Sequence, residues 1–371
     1  MRYLFGFICV LALGVMPMVG CSDNEGPGGT GGTGGTGGSP PPLQFAYVAN
    51  GTSSDVSQYS IEADGTLSPL APATVGAGLA PSSIAVAPSG PFAYVANFDT
   101  VSQYRVGVDG TLSPLTPATV PAGDSTYSVT VDPQGRFAYV ANGASDDVSQ
   151  YSIEADGTLS PLTPDTVAAG TGPRSVTVDL AGQYAYAANW DSANISQYRV
   201  GADGTLSPLT PATVAAGSGS NSITVEPSGQ YAYVANVLSG DVSQYSIEAD
   251  GTLSPLAPAT VGESFAPFSI AVDPSGQFVY VANWGSDDVS QFSIEADGTL
   301  SPLAPPTVAT GDAPVSVTVD PSGQFAYVAS ESSSDVSQYR IEADGNLTPL
   351  VPAQVDAGRH PTAITTVGAL E

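Results

Sequence analysis

Side chains able to do acid–base or anion chemistry are scarce in this sequence. There is one His (His360), and all seven basic residues are Arg; against 35 acids this gives a formal charge of −28 over 371 residues. Without Lys, a Schiff-base enzyme and a phosphate-binding P-loop are excluded. One His and two Cys cannot supply a zinc site, so neither a metal nor a cofactor is expected. A chain this acidic repels nucleic acid, whose binding depends on clustered Lys and Arg. No Gly-x-Ser-x-Gly nucleophile elbow is present. Ser145-Asp146-Asp147 and Ser286-Asp287-Asp288 offer oxygen ligands but lack calcium-loop spacing, and read as hydrated acids capping the next strand.

Three groups of residues remain as candidates. His360 is the one possible general base, with Glu331 as the carboxylate that would orient it. Arg174 and Arg359 carry forked guanidinium groups suited to a carboxylate or phosphate, or they merely offset the acidic surface. Phe98, Tyr127, Trp190, Phe268 and Trp284 offer rigid apolar area for a ligand, or they fill gaps between neighbouring structural units.

The elements that must position these residues come from a repeat. The segment Phe-Ala-Tyr-Val-Ala-Asn and its variants begin at residues 45, 92, 137, 184, 231, 278 and 325. A period of this size marks a propeller or solenoid. In the sixth unit, Phe268 to Val272 reads as a first strand and Pro274-Ser275-Gly276 as a turn. Phe278 to Asn283 is the second strand, Asp288 to Glu295 the third, and Asp297-Gly298 a hairpin turn before a fourth around Leu300 to Leu303. Four such strands make one propeller blade.

The first repeat lacks its first strand, and the chain finishes with an unpartnered one, Pro361-Thr362-Ala363-Ile364-Thr365-Thr366-Val367. Pairing the two closes the ring and removes an exposed edge. The expected fold is therefore all-β: a seven-bladed propeller, four strands per blade, with the C-terminal inner strand joining the N-terminal three strands. The repeated Tyr47, Tyr59 and their equivalents read as blade-to-blade core.

Comparing the seven copies separates two faces. Turns after the first strand and the Asp-Gly turns hardly vary, and their acids read as a solvating motif. These are the Glu-Ala-Asp-Gly residues and the acids ending the inner strands (Asp132, Asp179, Glu226, Asp273, Asp320). Variation gathers on the opposite face, where a rigid scaffold commonly carries function. At the opening of the inner strand stand Ser82, Tyr127, Arg174, Asn221, Phe268, Val315 and Thr362. After the second strand stand Gly51, Phe98, Gly143, Trp190, Val237, Trp284 and Glu331. Arg174 belongs to the fourth blade, and Arg359 and His360 precede the inner strand of the first, nearly across the opening.

The stretch Ser269-Ile270-Ala271-Val272-Asp273-Pro274-Ser275-Gly276-Gln277-Phe278-Val279-Tyr280-Val281-Ala282-Asn283 resembles the YVTN-type seven-bladed propellers. These overlap the lactonase propeller family, which includes bacterial 6-phosphogluconolactonases. The resemblance covers about Leu43 to Glu371. It implies a lactone hydrolase with cationic and acidic side chains around the central opening, roles for which this chain has few candidates.

Residues 1–20 have the organisation of a secretory signal peptide. Met18-Val19-Gly20-Cys21 resembles a bacterial lipobox, which implies lipid on Cys21. Residues 21–42 are a Gly/Thr/Pro tether of about 25 Å root-mean-square span, leaving 43–371 as the propeller. The expected protein is a monomer, exported and held by lipid at the cell envelope, with the outer membrane as the expected site. Its expected role is a non-enzymatic binding or scaffold propeller, taking an anionic or carbohydrate-like small ligand or an envelope protein on the variable face. The alternative is a lactonase-like hydrolase that opens a sugar lactone at the channel mouth.

Overall fold

A computed structural model describes residues 44–262 and 265–368; the signal segment, Cys21 and the tether lie outside the described residues. The regular elements described are 28 strands, arranged in seven four-stranded sheets. The first blade combines Pro361–Val367 with Gln44–Asn50, Asp55–Ile61 and Leu67–Gly76. Its closing pair is antiparallel, with Phe45 opposite Val367 and Ala49 opposite Ala363. The inner strands of blades two to seven are Ser83–Val86, Thr126–Val131, Pro173–Val178, Ser220–Val225, Pro267–Val272 and Pro314–Val319.

Position within the blade explains each strand's composition. The second strand is packed on both faces by neighbouring blades, so Phe-Ala-Tyr-Val-Ala-Asn is apolar almost throughout; Ala46, Tyr47, Val48 and Ala49 are fully buried. The outermost strand is a sheet edge, where Pro is tolerated because it needs no ladder donor and blunts the edge against further pairing. The fourth strand of the sixth blade therefore runs through its prolines as Leu300–Ala309, longer than the expected Leu300 to Leu303.

Adjacent blades are joined by a contact set repeated at all seven junctions. Tyr47 Oη donates to the Gly110 carbonyl of the next blade at 2.6 Å, and Tyr327 closes the ring on Gly65 at 2.7 Å. Gln58, fully buried, accepts from the Leu112 amide at 2.6 Å and donates to the Pro72 carbonyl at 3.1 Å. Gln338 makes the same bond to Leu67, across the junction of last and first blades. Each turn glycine also meets an aromatic ring: a Cβ on Gly110 would lie 2.1 Å from the Phe45 ring, and its φ is +80°. Only glycine meets both demands.

Tyr59, Tyr104, Tyr151, Tyr198, Tyr245 and Tyr339 add a hydroxyl bond to the preceding blade's outer strand. The sixth blade carries Phe292 there and forgoes it. The tyrosines are blade-to-blade core, as expected.

The acids ending the inner strands require a correction. Asp132, Asp179, Glu226, Asp273 and Asp320 are buried rather than solvating. Asp179 accepts from the Gln183 and Tyr184 amides at 2.7 and 2.8 Å, clamping the turn. Turn amides would otherwise be buried without partners, which is costly. The Asp-rich loops are likewise engaged. Asp147 accepts from Asn142 Nδ2 at 2.7 Å, and Asp146 from the Gly172 amide at 2.8 Å. Among the described residues, no three His, Cys, Asp or Glu side chains gather as a metal site would need.

Candidate functional site

The variable residues converge because of a repeated irregularity. In the fourth blade Pro173 pairs with Asn189 and Ser175 with Ala188, which leaves Arg174 as an unpaired bulge residue. The same shift isolates Tyr127, Asn221, Phe268, Val315 and Thr362. A bulge bends its strand and re-aims the extra side chain. Six bulges around one axis thus deliver six side chains to the channel mouth. With Ser82, Glu331 and Pro361 they line a cavity of about 200 Å³.

The two variable loop sets are tied together within each blade. The Gly51, Phe98, Gly143, Trp190, Val237, Trp284 and Glu331 amides each donate to the carbonyl of a loop that leads into the inner strand. Both sets therefore share one face. The residue two positions before each inner-strand member of the variable set takes a positive φ. In the other blades it is Ala80, Ser125, Gly172, Gly219, Ala266 or Ala313; in the first it is His360, at +53°.

Arg174 is the one basic residue in the lining of the mouth. Its guanidinium carbon lies 4.2 Å from the Tyr127 ring centroid and 4.4 Å from that of Trp190. Two ring faces hold the guanidinium plane by cation–π attraction and leave its N–H edge for an in-plane acceptor. Among the described residues Arg174 makes no ion pair. The stack needs room beneath Tyr127, and Gly143 supplies it: a Cβ there would lie 2.5 Å from the ring. Asn221, buried on the same rim, donates to the Phe268 carbonyl at 2.7 Å.

Across the mouth, His360 Nδ1 lies 3.3 Å from Glu331 Oε1. Both side chains are solvent-accessible, at 54% and 37% exposure. When Nδ1–H donates to the carboxylate, Nε2 is left as the acceptor. That is the arrangement a general base requires.

Arg174, Tyr127, Phe268 and Glu331 thus line the mouth, with Trp190 behind Arg174 and His360 behind Glu331. Arg359 is exposed outside the lining, so the structure does not bring the two candidate arginines together. Phe98 and Trp284 stand exposed on the same face, also outside it. Sequence comparison located Ser82, Asn221 and Thr362 as variable positions without giving them a role. Their polar groups are part of the rim.

The chain matches the family model described as "Lactonase, 7-bladed beta-propeller" over residues 113–211 and 194–364. Solved structures with the same architecture include a periplasmic gluconolactonase of Pseudomonas aeruginosa. It is 23% identical, with a TM-score of 0.76 over 88% of this chain and 99% of that one. A candidate 6-phosphogluconolactonase of Bacteroides fragilis is similar at 22% identity and TM-score 0.75, over 88% and 98% of the two chains. A protein of Lactobacillus plantarum is similar at 22% and 0.75, over 88% and 99%. No curated protein sequence matches the chain.

Proposed function

The chain belongs to the lactonase family of seven-bladed propellers, and from that premise we propose that its mouth binds a small carbohydrate-type ligand, a sugar lactone or the hydroxy acid it yields. The observation that carries this reading is Arg174, stacked between Tyr127 and Trp190 and free of any ion pair among the described residues. In a chain of charge −28, a guanidinium at a cavity mouth without a carboxylate partner is a donor kept for a guest. A lactone carbonyl or a single carboxylate satisfies its N–H edge, while the cavity of about 200 Å³ admits only a small molecule. The acidic loops favour the unphosphorylated lactone, since a dianionic phosphate meets repulsion from the same face.

Calorimetric titration with δ-gluconolactone and with gluconate tests the reading. Binding by the wild type that falls at least tenfold in Arg174→Met supports it; equal affinity in the two proteins refutes it.

A second reading, hydrolysis of the lactone, is favoured by His360. A positive φ recurs at this position in every blade, so the backbone turn belongs to the repeat, and what sets the first blade apart is an imidazole there. The other blades fill this position with Ala, Ser or Gly. Here the bond to Glu331 orients the imidazole behind a rim residue, and its Nε2 would take a proton from water attacking a lactone carbonyl. Lactone turnover that disappears in His360→Ala separates hydrolysis from binding alone. We also propose that Cys21 carries lipid and holds the propeller at the cell envelope through the tether, with the outer membrane as the site. Loss of membrane fractionation in Cys21→Ser tests that placement.

A further inference from the structure

We propose that the outer rim of the loop face docks a basic polypeptide segment with apolar anchor residues, supplied by another protein. Large exposed apolar side chains are concentrated there. Among the described residues, Leu79, Phe98, Tyr127, Leu238, Phe265 and Trp284 all stand on this face, Leu79 and Phe265 at 70% and 75% exposure. The other three, Val108, Leu180 and Val351, are scattered over two turns of the opposite face and an outer strand. Single exposed apolar residues need no explanation, whereas a cluster of them on one face marks an interaction surface.

The cluster has two tied stretches, one in the second and third blades and one in the sixth. The Phe98 amide donates to the Leu79 carbonyl at 2.9 Å, and the Phe98 carbonyl accepts from Thr126, next to Tyr127. Tyr127 meets Arg174, which meets Trp190. In the sixth blade the Gly285 amide, next to Trp284, donates to the Phe265 carbonyl at 3.0 Å.

Charge selects the partner. Exposed carboxylates alternate with these rings: Asp99 follows Phe98, Asp124 precedes Tyr127 by three residues, Asp191 follows Trp190, and Asp287 follows Trp284 by three. A neutral or acidic partner would bury these carboxylates unpaired, at a desolvation cost nothing offsets. A second copy of this chain brings the same acidic rim and is repelled. Lys or Arg side chains meet the carboxylates while apolar neighbours cover the rings, so one segment satisfies both halves of the surface. This surface adjoins the small-ligand mouth and shares Tyr127 with it, while Leu79, Phe98, Leu238, Phe265 and Trp284 lie outside the mouth's lining.

Fluorescence anisotropy with the full chain tests the proposal. The probe is a labelled twelve-residue peptide alternating Lys pairs with Trp and Leu. One control replaces Lys by Glu, and another replaces Trp and Leu by Ser. The proposal expects the probe to bind at least tenfold more tightly than either control. It expects at least a tenfold loss in Phe98→Ser/Trp284→Ser, with the thermal midpoint retained. It also expects a flatter salt dependence in Asp99→Asn/Asp191→Asn. Equal binding of the Lys/Ser peptide, or unchanged affinity in Phe98→Ser/Trp284→Ser, overturns it. So does a dimer in sedimentation that Phe98→Ser/Trp284→Ser disperses.

Discussion

On the turn face, every Asp-Gly turn receives an aromatic ring, a tyrosine hydroxyl and, at the next strand, a glutamine from the preceding blade. On the loop face, equivalent positions hold Gly, Phe, Gly, Trp, Val, Trp and Glu around the ring. The same seven repeats thus carry one face that scarcely changes and one that changes freely. The difference lies in what each residue touches. A turn-face residue bonds two blades, so replacing it opens a junction. A loop-face bulge residue is unpaired in its own sheet and points toward the channel, so replacing it alters the mouth and leaves the ring intact. Five of the turn-face acids, Asp132, Asp179, Glu226, Asp273 and Asp320, are buried as clamps of turn amides, while those of the Asp-Gly turns are exposed.

The sharpest way to break this contrast is to open one junction. Gln150→Leu leaves the Leu206 amide and the Pro164 carbonyl without their partner. The Leu206 amide is buried, and leaving it unsatisfied costs about 1–3 kcal/mol, the part-buried Pro164 carbonyl adding less. Urea unfolding is expected to show that loss, with lactone affinity unchanged. A loss below about 0.5 kcal/mol would show that the glutamines are not what makes the turn side constant. A smaller effect of opposite sign is expected on the loop face. His360→Gly relieves the positive φ and should stabilise the fold by about 1 kcal/mol while ending any turnover; a destabilised variant would mean that the residue serves the ring.

Acid distinguishes the faces more gently. Thr66 holds the Asp64 carboxyl below its usual range through its hydroxyl and amide, and corresponding bonds hold Asp109, Asp156, Asp203, Asp250, Asp297 and Asp344. A carboxyl depressed in the folded state contributes stability present above its unfolded value and lost as pH falls through the folded one. At the loop ends, burial raises Asp147 and Asp335, which contribute with the opposite sign. Seven depressed groups against two raised ones predict a urea midpoint that declines once pH drops below about 4. A midpoint flat down to about pH 3 would show the turn clasps to be energetically idle.

Most of the architecture was legible because it is repeated. Phe-Ala-Tyr-Val-Ala-Asn at a regular period exposed the blades, and the half-repeats at the two ends exposed the closure. The buried glutamines were not legible. A Gln within a strand reads as a solvent-facing residue, and its partners lie in two other strands that only the ring brings together. The long outer strands were missed because Pro reads as a terminator, yet an edge strand has no need of the missing N–H. Comparing the copies found the mouth positions but not the bulges that aim them, since a bulge is a property of register. Sequence placed both Arg359 and His360 at the mouth, the one as an anion ligand and the other as a base paired with Glu331. The chain turns at His360, and only His360 reaches Glu331.

The most direct test of the central claim, that the loop face holds a site separable from the ring, is a paired titration. Wild type, Arg174→Met and Gln150→Leu are titrated with δ-gluconolactone at a temperature where all three are folded. The account predicts that Arg174→Met loses at least tenfold in affinity with its urea midpoint nearly kept, while Gln150→Leu keeps its affinity and loses its midpoint. Equal affinity in all three proteins, or loss of both properties together in Arg174→Met, would contradict it.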